Sequence, residues 1–135
     1  MAIDQHLRFR TLPGQGVSVI VAEPHLNRNG VAHGGLLCTL ADWAMASEVL
    51  ARVTAEQTTA TIDIATRFMR PAALGERLVT RVQVTSHSRR LISLECEIHN
   101  SQAKVVSKSY ATFMIIPKEH RKAHDEQHSE REICE

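Results

Sequence analysis

Asn27-Arg-Asn-Gly-Val-Ala-His-Gly-Gly35 runs directly into Leu36-Leu-Cys-Thr-Leu-Ala-Asp-Trp-Ala-Met-Ala-Ser-Glu-Val-Leu-Ala-Arg-Val53, so a polar, glycine-bearing loop becomes the longest helical pattern in the chain. Leu36, Leu37, Leu40, Ala41, Ala44, Met45, Val49 and Leu50 recur at three- and four-residue steps, the period of a helix. Ala and Leu favour that conformation, and no Gly or Pro interrupts the run after Gly35. The pattern predicts a helix ending near Arg52. Asp42 stands among Leu40, Ala41, Trp43 and Ala44, and a carboxylate in that company needs a reason.

Outward from the helix, the chain reads as strands. Gly16 to Ala22 is rich in β-branched residues and is closed by Glu23-Pro24. Residues 1–15 are mixed, with a turn signal at Pro13-Gly14. Beyond the helix, Thr58 to Met69, Glu76 to Ser86, Leu91 to His99 and Lys104 to Ile116 follow, and short links between the last three predict antiparallel hairpins. In Leu91 to His99 the residues Ile92, Leu94, Cys96 and Ile98 alternate with Ser93, Glu95, Glu97 and His99. A sheet with one apolar face must be covered on that face, and a helix apolar over most of its circumference suits the task. The expected fold is α+β, one long helix wrapped by a curved five-stranded antiparallel sheet over residues 1–117, with a polar tail over 118–135.

A chain of 135 residues is long enough for one domain with a sizeable core. A net charge of +1 and an aromatic content of 4% argue against nucleic-acid binding, which needs a basic surface and rings for stacking. Cys38, Cys96 and Cys134 are an odd set without metal-type spacing; they suit a reducing compartment, and Cys38 and Cys96 read as small core residues. The N-terminal residues lack a signal-peptide pattern and no apolar run approaches membrane-spanning length, so a soluble, cytoplasmic protein is expected. His120, His124 and His128 share a four-residue spacing in the tail, but matching carboxylate or cysteine ligands are not evident, so no metal is expected.

A helix N-terminus carries unpaired N–H groups and partial positive charge. Gly34 and Gly35 let a ligand approach that bare backbone, a device suited to a carbonyl oxygen gaining negative charge. Asn27 is a further donor or a loop brace, and His33 a cap, a packing residue or a proton carrier. Asp42 supplies a carboxylate able to attack or to activate water, its alternatives being a solvated position or an arginine partner. Gly34 and Asp42 are eight residues apart, roughly 12 Å along a helix at 1.5 Å per residue. Donor and nucleophile must both stand about 3 Å from one reacting centre, which one subunit cannot easily arrange. Two helices packed antiparallel across a twofold axis can, and the motif predicts a dimer with two shared sites.

Asn27, Gly30, His33-Gly34-Gly35, Leu40, Asp42 and Ala44, followed by Arg70-Pro-Ala-Ala-Leu-Gly75, resemble the hotdog-fold acyl-CoA thioesterases of the phenylacetic-acid-pathway (PaaI-like) type. The resemblance spans the first strand to Ile116. It implies hydrolysis of an acyl-CoA thioester to free acid and CoA without metal or cofactor, in homodimers often paired as homotetramers. It matches Asp42 to the nucleophile or general base and the Gly34 N–H to the donor that polarises the thioester carbonyl. Asn27 and His33 match supporting positions. The hydroxyl that orients the attacking water falls on Thr61, with Thr59 the alternative in a shifted alignment. Gly35 lines the substrate's approach, and Arg89 and Arg90 are candidate ligands for CoA phosphates. Met45, Trp43, Phe68 and Met69 are candidates for an acyl pocket or for plain core.

A non-catalytic hotdog domain binding acyl-CoA or an acyl carrier protein is the alternative reading; it shares the groove but has no need of Asp42. A hydratase acting on enoyl thioesters would pair an aspartate with a histidine about five residues later, whereas Trp, Ala, Met, Ala and Ser follow Asp42 here.

Overall fold

In the computed structural model, which describes residues 2–12 and 16–118, the chain forms a short helix α1 (Ile3–His6), β1 (Arg10–Leu12), β2 (Gly16–Ile20) and a 3-10 turn (Glu23–His25). The long helix α2 (Gly34–Arg52) follows, then β3 (Gln57–Phe68), β4 (Arg77–His87), β5 (Leu91–His99) and β6 (Val105–Pro117). All strand pairs are antiparallel, in the order β1-β2-β4-β5-β6-β3. This is the expected hotdog architecture: α2 touches β2, β3, β4, β5 and β6, so one curved sheet wraps one helix.

The helical period becomes burial. Leu36, Leu37, Leu40, Ala41, Ala44, Met45 and Val49 of α2 are all buried. They meet Leu78 of β4, Ile92, Leu94, Cys96 and Ile98 of β5, and Phe113 of β6 in one continuous core. Removing a side chain such as Leu40 would cost roughly 2–5 kcal/mol, since both the transfer term and a cavity are lost. Met45 is therefore core and not pocket lining. Leu50, the last residue of the sequence pattern, lies exposed near the helix end. There Arg52 pairs with Glu48 one turn earlier at 3.1 Å.

The sheet has six strands, one more than expected. The added strand, β1, pairs Arg10, Thr11 and Leu12 with Ser18, Val17 and Gly16. Three residues are too few for an alternation to register in sequence; backbone pairing creates this strand, not a side-chain pattern. β2 also stops at Ile20 rather than Ala22, because the Ala22 N–H turns away to donate to His25 Nδ1 at 2.9 Å. β3 carries a bulge between Thr61 and Asp63 that leaves Ile62 out of the pairing with β6 and 51% exposed.

Cys96 is fully buried as expected, and burial pushes its thiol up to about 12. Cys38 is only half-buried, at the margin of the core, and both thiols are free. Among the described residues no helix is long and apolar enough to cross a membrane. The expected polar tail, with His120, His124 and His128, lies outside the described residues apart from Lys118.

Candidate active site

The loop before α2 is closed on itself through Asn27. Its Oδ1 accepts from the Asn29 N–H at 2.9 Å and the Val31 N–H at 3.3 Å. Its own N–H donates to Val31 O at 2.8 Å, and its carbonyl accepts from the Gly30 N–H at 3.1 Å. Gly30 has φ +76°, a backbone conformation that glycine adopts without cost. Asn27 thus braces the loop through its oxygen, and its side-chain nitrogen has no partner among the described residues.

His33 caps α2. Its Nδ1 accepts from the Gly35 N–H at 2.8 Å, which assigns the ring proton to Nε2 in the neutral form. The His33 carbonyl takes the Leu36 and Leu37 N–H groups at 3.0 and 3.4 Å. Of the four donors that a helix leaves unpaired at its start, three are therefore satisfied within the chain. Only the Gly34 N–H has no acceptor among the described residues. Gly35 contributes its missing side chain rather than a donor: a methyl there would stand 3.0 Å from His33 Nδ1.

Asp42 is half-buried on α2, two turns on, and its Oδ1 accepts a hydrogen bond from Thr61 Oγ1 at 2.7 Å. Thr59 is not the partner; its hydroxyl donates to Met114 O at 3.0 Å. With one carboxylate oxygen fixed by a hydroxyl, the other is left to act on a substrate or a water.

Gly34 and Asp42 lean on different parts of β3. Asp42 meets Thr61, whereas Gly34 lies against the ring of Phe68, seven residues later. At about 3.3 Å per residue those contacts are roughly 20 Å apart along the strand. Arg89 and Arg90 are exposed in the turn between β4 and β5. The Arg90 carbonyl accepts from the Ile115 N–H at 2.8 Å, and Ile115 pairs with Thr59, so this turn lies at the Thr61 end of the sheet.

Two supporting sets of contacts escape the sequence reading. His25 is 3% exposed, with Nδ1 accepting from the Ala22 N–H and Nε2 donating to Leu7 O at 2.8 Å; its carbonyl holds the His33 N–H at 2.8 Å. Ala72 accepts from the Ala32 N–H at 2.8 Å and Ala73 bridges Val31, so the segment after Arg70-Pro71 backs the glycine loop. A lone histidine beside a proline carries no periodic signal; the Arg70 to Gly75 segment does, but as a resemblance and not as a contact. Trp43 packs partly buried against the core, while Phe68 and Met69 are 56% and 49% exposed.

A family model described as the thioesterase superfamily matches residues 29–107, from the loop through β6's start. An esterase candidate from Archaeoglobus fulgidus is 29% identical over 96 residues, covering 71% of this chain and 60% of that protein. The chain thus spans less than two thirds of that relative's length. The phenylacetic acid degradation protein PaaI of Thermus thermophilus, in a mutant form, is 27% identical with a TM-score of 0.73, over 82% of this chain and 96% of that one. A Bacillus halodurans protein solved with CoA has a TM-score of 0.79 at 18% identity, over 84% of this chain and 75% of its own, and so shares the fold. With the match covering more than half of its residues, the chain belongs to the thioesterase superfamily, as a hotdog protein of the PaaI-like kind.

Proposed function

We propose that this chain hydrolyses acyl-CoA thioesters at sites shared between two copies of itself. The observation that carries the reading is the one donor left free, among the described residues, at the start of α2, on the same helix as a carboxylate hydrogen-bonded to a hydroxyl. The thioester oxygen would accept from the Gly34 N–H, whose dipole stabilises charge gathering on that oxygen. Asp42 of the other copy attacks the carbonyl carbon, or takes a proton from the water that does, with Thr61 holding the carboxylate. In direct attack the Asp42 oxygen bonds the acyl carbon as the C–S bond breaks, the CoA thiolate leaves, and water then cleaves the mixed anhydride to free acid and Asp42. In the other course the water oxygen bonds the acyl carbon, the C–S bond breaks, and the CoA sulfur leaves with the proton that Asp42 took.

The dimer reading is supported by β3. This 12-residue strand ends the sheet on one side, its outer edge without a partner among the described residues, with Ile62 exposed. An open edge of that length invites another strand. Two copies joined antiparallel along β3 bring their helices antiparallel and set each Gly34 toward the other's Asp42. Two such dimers would make the tetramer that the resemblance implies. The CoA-bound Bacillus halodurans neighbour supports the CoA portion of the substrate as ligand, and Arg89 and Arg90 are the cations proposed for its phosphates.

The test is CoA release from a panel of short, medium, long and aryl acyl-CoAs. Turnover lost in Asp42→Ala is the expected result. Tight binding without turnover would instead favour a domain that only holds acyl-CoA or an acyl carrier protein. Solvent oxygen-18 under single-turnover conditions separates the two chemistries, since label in the Asp42 carboxylate marks direct attack.

A further inference from the structure

Thr61, Ile64, Thr66 and Phe68 of β3 pair with Phe113, Ala111, Ser109 and Ser107 of β6. Those β6 residues are all buried, which makes this the face of β3 turned toward α2. Thr66 is hydrogen-bonded to Ser109 across the pair at 2.8 Å. Phe68 closes the row and differs from it. The ring is 56% exposed, yet it lies on the Gly34 backbone. A methyl group built on the Gly34 α-carbon would stand 3.1 Å from Phe68 Cζ and 3.3 Å from Cε1. The cross-strand partner of Phe68, Ser107, is fully buried, with its hydroxyl without a partner among the described residues.

A carbonyl oxygen hydrogen-bonded to the Gly34 N–H at about 2.9 Å brings the thioester beside the Gly34 backbone, where a neighbouring side chain rests against the α-carbon. What touches it is this ring. Resting on the thioesterase reading above, we infer that Phe68 is the wall of the acyl site beside the carbonyl, and that it sets how much bulk the site admits at the α-carbon. The ring that a methyl at Gly34 would meet at 3.1 Å stands beside the same residue's N–H, so a methyl branch on the substrate crowds it, while a straight chain passes.

Wild type, Phe68→Ala, Phe68→Leu and Phe68→Trp are compared for kcat/KM on straight-chain and 2-methyl-branched acyl-CoAs of matched length. Wild type is expected to favour the straight chains. The branched-to-straight ratio should rise on the order of tenfold in Phe68→Ala, rise less in Phe68→Leu and fall in Phe68→Trp, since one methyl in an apolar pocket is worth about that factor. A fall in turnover by one common factor, with the ratio unchanged, overturns the wall and leaves a structural ring. So does wild-type protein that accepts branched and straight chains equally. Dissociation of Phe68→Ala to monomers by light scattering also overturns it, because the ring then belongs to the contact between copies. Wild-type protein inactive on the whole panel removes the thioesterase reading and this inference with it, and is told apart from the other outcomes by that wild-type result.

Discussion

The two halves of the candidate site are built in opposite ways. At the Gly34 end, backbone is locked by many small bonds: Asn27 Oδ1 holds two N–H groups, His33 holds Gly35, His25 holds His33, and Ala72 holds Ala32. At the Asp42 end, a side chain on a regular helix is held by one hydroxyl from a neighbouring strand. The difference follows from what each end presents. An N–H aimed at an oxygen must be fixed by its own chain, so the loop is stiffened along its length. A carboxylate on a packed helix is already placed by the core, and needs one partner to choose its rotamer. Damage at the first end should therefore cost stability and activity together, and damage at the second should cost activity alone.

The largest expected effect is at the second end. Asp42→Ala removes the proposed nucleophile or base, and kcat should fall by roughly 10³-fold or more, the scale of a general base or nucleophile. Asp42 is half-buried with a single hydrogen bond, so thermal melting should move by no more than ~2 °C for a change within about 0.5 kcal/mol. Steady-state CoA release and a melting curve on the same preparation check both. Retained turnover would remove Asp42 from the chemistry.

Asn27→Ala should be next and should behave differently. It strips the acceptor from two loop N–H groups at once. A cost of about 1–3 kcal/mol in stability is expected for donors left without their partner. Turnover should fall by roughly 10²-fold as the Gly34 N–H loses its aim, the scale of losing one oxyanion donor. If kcat drops with the melting temperature unchanged, Asn27 contacts substrate through its free amide nitrogen instead of bracing the loop, and the contrast between the two ends weakens.

Thr61→Val keeps the shape of the side chain and deletes the hydroxyl that fixes Asp42. One hydrogen bond to a charged group is worth about 1.5–3 kcal/mol, which corresponds to a tenfold or somewhat larger loss in kcat if it is needed in the transition state. Thr59→Val should change kcat by less than about twofold, since its hydroxyl turns to Met114 O and a single exposed hydrogen bond is worth little. Equal effects at the two threonines would break the assignment of Thr61.

Much of this was legible before any coordinates. The helix, five of the strands and the core face of β5 followed from period, β-branched content and turn signals, because Leu40, Met45, Ile92 and Ile98 are apolar at positions that only burial explains. The separation of Gly34 from Asp42 followed from helical rise. What escaped were contacts made by backbone. β1 exists because its peptide groups pair with β2, not because Arg10, Thr11 and Leu12 alternate. His25 works through two ring nitrogens and a carbonyl, none of which leaves a spacing to read. Thr61 was placed before Thr59 by resemblance, and only the hydroxyl contacts separate them, because two threonines two residues apart share one face of a strand and carry no mark that tells them apart.

Among the residues assigned to the site, the smallest expected effect falls on His33 and decides what kind of residue it is. Its Nδ1 caps α2 by accepting from the Gly35 N–H, and its exposed ring makes no other hydrogen bond among the described residues. His33→Ala should lower stability by about 1 kcal/mol, the usual loss of a cap acceptor, and should reduce turnover only a few-fold as the helix start frays. Asn is a strong capping residue, so His33→Asn should restore the melting temperature and, with it, the turnover. A proton carrier would behave otherwise. His33→Asn would then be as stable as wild type while losing on the order of 10² in kcat, the scale of general acid–base catalysis, with the pH–rate profile losing one limb. Rescue by Asn would set His33 with Asn27 and His25 at the stiffened end of the site, where the chain's work is to hold one N–H still.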